Sequence, residues 1–213
     1  MKILRLFARV TLATLFLGLC GTAHANVISG ALWRVPDAVA QNAIPANVPG
    51  TTPDVLFDVN SPLNFTTPGS VQTFLSSGGA FNIVENTPGT LASTLSDGVV
   101  SSFIQFLGFV TVTNGQIFTV THDDGLTLII GGLTVVASPG PTGPIQTIST
   151  YTGPTGTFAF ELDYGECCGG EAVLQVALPF SNTPSPTVPE PASLALLALG
   201  LVGLGFSRRN KAS

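Results

Sequence analysis

The chain has 213 residues and a formal net charge of −5, with charged residues making up 9% of it. Over residues 26–187 a single basic side chain, Arg34, stands against eleven Asp and Glu, a formal charge of −10. No basic stripe is available for a nucleic-acid backbone or an anionic lipid surface, whereas an acidic, Lys-free surface suits cation binding and solubility outside the cell.

The N-terminus reads as an export signal. Lys2, Arg5 and Arg9 precede an apolar run over 10–20, and Ala23-His24-Ala25 fits a small-x-small cleavage that leaves Asn26 first. The run is too short for a membrane anchor, and Leu19 before Cys20 is too bulky for the usual lipid-attachment box. Residues 1–25 form the expected signal and 26–181 a single domain, long enough to bury a real core.

Within that domain Gly, Pro, Thr, Ser and Asn are abundant, and short alternating runs lie between turn residues. Long helical periodicity is absent. The pattern predicts an all-β antiparallel sandwich or barrel. Strands are expected at 27–35, 55–59, 81–84 and 99–106, with brief edge segments at 63–67 and 71–75. The one expected helix is 36–43, where Pro36 sits near the start and Ala, Val and Ala recur. Segments 107–113 and 116–122 should pair as a hairpin across Asn114-Gly115. Segments 126–130 and 133–136 should pair across Gly131-Gly132. A Gly/Pro loop over 138–144 follows. The strand expected at 157–164 puts Phe158, Phe160, Leu162 and Tyr164 on one face. Glu161 and Asp163 fall on the other face and are expected to be solvated. A loop over 165–171 and a strand over 172–178 close the domain.

Two loops carry unusual chemistry. Thr121-His122-Asp123-Asp124-Gly125 sets adjacent carboxylates on a tight loop between two strands. A hard cation with oxygen ligands, such as calcium, would relieve their repulsion; the same residues also suit a plain polar turn. Cys167 and Cys168 are the only thiols once Cys20 leaves with the signal. They can close a vicinal disulfide in an oxidising compartment and stiffen the loop carrying Glu166, or stay as inert thiols. A soft-metal site lacks further Cys ligands. His122 is the only histidine after the signal, so a Ser-His-Asp triad would have to use it beside two aspartates. A glycosidase pair, Glu161 with Glu166, is weakened by the solvent-facing position of Glu161. The domain is expected not to be an enzyme.

Residues 182–187 form a Pro/Ser/Thr-rich linker. Val188-Pro189-Glu190-Pro191 follows, then an apolar run over 192–206 and a basic tail with Arg208, Arg209 and Lys211. As a helix the run would rise ~22 Å, short of a ~30 Å hydrocarbon core. It could hold the chain in a membrane transiently, basic cluster on the cytoplasmic side, or act as a plain anchor. Motif, apolar run and basic tail over 188–213 together resemble the PEP-CTERM sorting signal of Gram-negative bacteria. That resemblance implies transient inner-membrane anchoring and cutting near Pro189-Glu190-Pro191 by an exosortase-type membrane protease. It also implies delivery to the cell surface or an exopolysaccharide matrix.

A second resemblance spans 106–179. Thr121-x-Asp123-Asp124-Gly125, the Gly131-Gly132 turn, and Phe160-x-Leu162-x-Tyr164-x-Glu166-x-x-Gly169 resemble the protective-antigen-type domain of anthrax protective antigen, yeast flocculins and bacterial surface proteins. The resemblance implies an antiparallel β-sandwich with calcium on the paired aspartates, which are often joined by a cis peptide. A second loop would complete the site, and sugar hydroxyls would bind the exposed ion. Asp123 and Asp124 match the paired aspartates. Glu166 falls where lectin members place an Asn side-chain ligand, and the carbonyls of Cys168 and Gly170 fall where that loop offers main-chain oxygens. Gly169-Gly170 stand where a flocculin places an aromatic, so no stacking platform for a sugar is evident. The implied function is a calcium-dependent module that binds extracellular polysaccharide or another glycan in adhesion. A structural matrix protein with a purely stabilising calcium is the alternative, and a secreted glycoside hydrolase a remote one.

Overall fold

The computed structural model describes residues 26–66, 69–86 and 95–181. The expected signal 1–25, linker 182–187 and sorting segment 188–213 lie outside the described residues, as does Thr67 at the end of the 63–67 segment.

Two antiparallel sheets pack face to face. β1 (Val27–Arg34) turns Ile28 and Leu32 inward and pairs with β2 (Val55–Asn60) on one side and β5 (Ser102–Val112) on the other. β10 (Gly156–Glu166) lies along the whole of β5 and takes β7 (Gly125–Ile130) on its far side. β4 (Phe81–Glu85) and β8 (Leu133–Ser138) form the edges. β12 (Phe180–Ser181) pairs with β5 opposite Val110 and Phe109. The second sheet runs β3 (Leu63–Phe65), β11 (Val173–Val176), β6 (Ile117–Asp123), β9 (Ile145–Thr150). Period-two alternation sends Phe106, Val110, Leu128, Leu162 and Tyr164 from one sheet against Phe65, Phe118, Val120, Leu174 and Val176 from the other. Each large side chain fully removed from water contributes about 1.5–3 kcal/mol.

The expected fold class holds, and several elements differ. Asn114-Gly115 is a turn, with Gly115 at φ +81°, but not a hairpin: β5 and β6 belong to different sheets. The Asn114 side chain donates to the carbonyls of Thr152 (3.0 Å) and Gly153 (2.9 Å), pinning the corner to the segment before β10. The strands expected at 99–106 and 107–113 are one, β5. Gly108 keeps it flat against β10, where a Cβ would meet the Phe160 ring at 2.8 Å. The 36–43 helix shrinks to one turn, α1 (Asp37–Ala40), and it is not the only helix. Segment 71–75, expected as an edge strand, is part of α2 (Val71–Ser77). Ser70 Oγ accepts the Thr73 N–H at 3.2 Å, a cap worth about 1 kcal/mol. Val71, Phe74 and Leu75 then bury at helical spacing, with Phe74 stacked between Phe65 and Tyr164. β9 was not anticipated.

Candidate metal centre

Asp124 alone separates the end of β6 at Asp123 from the start of β7 at Gly125. The two strands lie in different sheets, so the chain crosses the sandwich in one step. The Asp123-Asp124 peptide is cis. Packing demands the glycine that follows: a Cβ on Gly125 would sit 2.0 Å from the Pro139 carbonyl oxygen. Its cross-strand partner Gly165 is met the same way, at 2.0 Å, by the carbonyl of Ala40 in α1. Two glycines therefore let flanking segments close over the strand ends.

Two loops hold Asp124. The Thr142 N–H donates to its Oδ1 (3.0 Å) and the Cys167 N–H to its Oδ2 (2.8 Å). His122, expected in the loop, lies in β6 and is fully buried. Its Nδ1 is 2.5 Å from the Asp124 carbonyl oxygen and its Nε2 is 2.9 Å from Thr147 Oγ1. A carbonyl only accepts, so Nδ1 carries a proton, and in the neutral ring Nε2 accepts from the Thr147 hydroxyl.

Glu166, at the end of β10, points inward like Tyr164 two residues before it. The Tyr164 hydroxyl touches both the Asp123 carbonyl oxygen and Glu166 Oε2, the latter at 2.6 Å. A hydroxyl has one proton to give. The Glu166 carboxyl and the Asp123 carbonyl therefore compete for that one donor.

Asp123, Asp124 and Glu166 are 5%, 5% and 1% exposed. Burial, and then the neighbouring Asp124 charge, pushes the Asp123 carboxyl up to about 6. Burial pushes Glu166 up to about 8, opposed by the Tyr164 hydrogen bond and reinforced by the charges of Asp124 and Asp123. Arg34 is the one Lys or Arg among the described residues, and its bonds lie elsewhere. Its Nη1 donates to Val100 O and Ser102 Oγ, both at 2.7 Å.

Two buried carboxylates joined by one peptide, with no cationic side chain bonded to them, fit a hard divalent ion. The shell is not closed by side chains alone. Glu166 is turned onto Tyr164, and among the described residues no three His, Cys, Asp or Glu are grouped closely enough to hold a metal. Completing it takes main-chain oxygens of the 167–171 loop or a turn of Glu166 away from Tyr164. Cys167 and Cys168 in that loop are joined as a disulfide, Cys167 buried and Cys168 exposed at φ +67°. A hollow of about 790 Å³ between Trp33, Arg34 and the 49–54 loop does not include the pair.

Asp163 was expected in solvent and is instead fully buried. It lies on the face of β10 opposite Glu166, beside half-buried Glu161. The Gln105 amide donates to both, at 2.9 Å to Glu161 and 3.3 Å to Asp163 Oδ1. Asp163 Oδ2 and the hydroxyl of its cross-strand neighbour Thr127 have no partner. Burial, and then the Glu161 charge, raises the Asp163 carboxyl to about 7. Glu161 and Glu166 occupy opposite faces of one strand, which does not suit a pair flanking a single glycosidic bond.

Residues 187–209 match the family model of the PEP-CTERM protein-sorting motif, which marks an exported protein sorted toward the cell surface. The domain was compared with solved structures. The PA14 domain of the antifreeze protein MpAFP aligns with a TM-score of 0.51 and 20% identity, covering 79% of this chain and 88% of that one. The PA14 sugar-binding domain of an RTX adhesin aligns with a TM-score of 0.52 and 18% identity, covering 74% and 96%. The fold is that of a PA14 domain. The expected protective-antigen-type sandwich is thus the observed one, with the acid pair at the crossing between its sheets. No curated protein matches the chain.

Proposed function

We propose that this is a non-enzymatic, exported PA14 module that binds glycans through calcium held at Asp123 and Asp124. The observation that supports the reading is the adjacent acid pair, buried and clamped by two loops, with no cationic side chain bonded to it among the described residues. Asp123 and Asp124 would hold the ion, with the main-chain oxygens of Cys168 and Gly170 and a reoriented Glu166 completing the shell. Bound there, calcium would supply open coordination positions for paired sugar hydroxyls. The 139–144 and 167–171 loops would orient the sugar, and His122 would hold the Asp124 carbonyl in place. The sorting segment would be cut near Pro189-Glu190-Pro191 by an exosortase-type protease, delivering the module to the cell surface or exopolysaccharide matrix of a Gram-negative bacterium.

A glycan array probed with purified protein in calcium and in chelator tests the reading. Calcium-dependent hits lost in Asp124→Asn support it. A second reading, that calcium only stabilises the loops, draws on the inward turn of Glu166. It predicts a calcium-raised Tm with no glycan hits.

A further inference from the structure

The loop that follows Glu166 offers a sugar almost no side chain. Gly169 and Gly170 are exposed, both at positive φ (+78° and +133°), and open space surrounds the position of any Cβ they might carry. Glu171 beyond them is exposed and charged. A pyranose bound through its hydroxyls also presents a face of C–H bonds, which needs an apolar surface to leave water. Aromatic side chains commonly provide one, and none lies in this loop.

The Cys167–Cys168 disulfide lies where such a surface is needed. The Cys167 backbone amide donates directly to Asp124 Oδ2 at 2.8 Å, so the disulfide adjoins the carboxylate that would hold the ion. Cys167 is buried and anchors the pair, while Cys168 is exposed. Bonding adjacent side chains removes their rotamer freedom and leaves a small rigid face of methylene and polarisable sulfur. Across the acid pair stands the 140–143 segment, with exposed Pro141 and the Thr142 amide on Asp124 Oδ1.

From this we infer that the Cys167–Cys168 disulfide is the apolar wall of the glycan site, packing against the C–H face of a pyranose whose hydroxyls engage the Asp123–Asp124 side. The inference rests on the glycan-binding reading and assigns its hydrophobic contact. It favours sugars with an extended patch of axial hydrogens on one face.

The test uses the purified protein, a pyranose-terminated glycan array for capture, and calorimetry for calcium. Replacing both cysteines by Ser keeps every main-chain donor and acceptor and removes the apolar face. Glycan affinity should fall about tenfold, as expected for a small apolar contact returned to water, while calcium affinity stays within about threefold. Cys167→Ala combined with Cys168→Met restores apolar surface without a disulfide and should recover most of the lost affinity. Unchanged glycan affinity in the double Ser variant overturns the inference and leaves the glycan-binding reading intact. Loss of calcium and glycan together, not recovered by the Met variant, also overturns it, because the disulfide would then be holding the loop. A wild-type protein that takes up calcium and captures no glycan sinks the reading and the inference together.

Discussion

Asp163→Asn isolates one buried charge from the candidate metal centre. Asp163 is fully buried, has an unpartnered Oδ2, and shares the Gln105 amide with Glu161. Its carboxyl is carried from an ordinary 3.8 to about 7 by burial and then by the Glu161 charge. The folded state therefore holds a proton that the unfolded chain has released between about pH 4 and 7, and stability falls as pH rises through that window. The full displacement corresponds to at most about 4 kcal/mol. Coupling to Glu161 and residual screening bring the expected cost at pH 8 to about 2 kcal/mol. Asparagine keeps the shape and carries no charge. Thermal unfolding in chelator should show the variant and wild type with similar Tm near pH 4.5. By pH 8 the variant should melt about 6 °C higher, as about 2 kcal/mol implies for a domain of this size. A variant that is less stable than wild type at pH 8, or a difference that does not change with pH, refutes the assignment of a strained acid at this position.

Gly125→Ala should cost about 3 kcal/mol or more, because its Cβ meets a backbone oxygen that cannot move aside. Gly143→Ala, with nothing within 4 Å, should stay within about 0.5 kcal/mol, and denaturant melts of the two variants check the contrast. Phe74→Ala removes a fully buried ring stacked at 4.9 Å on Phe65 and 6.1 Å on Tyr164, and should cost about 3–5 kcal/mol in the same assay. Without calcium, the raised carboxyls of Asp123 (3.8 to about 6) and Glu166 (4.5 to about 8) should make stability fall as pH rises between about 4 and 8. Saturating calcium should flatten that slope, which a pH series of melts would show.

Sequence pattern revealed the sandwich because its inner faces follow strict alternation, as in Phe160, Leu162 and Tyr164. It failed where pairing is decided at long range. Asn114-Gly115 carries every local sign of a hairpin, yet its Asn side chain bonds Thr152 and Gly153 and the two strands part to different sheets. The helix at Val71–Ser77 hides behind Val, Thr and Phe, residues of good strand propensity. Its signals were the Ser70 cap and the 71, 74, 75 spacing. β9 was missed because none of its residues is fully buried and its inward face is carried by Thr147 and Ser149 rather than by apolar side chains. At the site, adjacent Asp residues before a glycine were legible, as was the disulfide option. The burial of Asp163 was not, since alternation says which face a residue takes and nothing about what covers it. The clamp on Asp124 from Thr142 and Cys167 brings together loops far apart in sequence, and only the folded chain shows it.

Calcium titration by calorimetry, on chelator-stripped protein at pH 7.5, bears most directly on the acid pair. The account predicts one site per chain in the wild type, no binding in Asp124→Asn, and full binding in Asp163→Asn. No heat of binding in the wild type, or equal binding in Asp124→Asn, would contradict it.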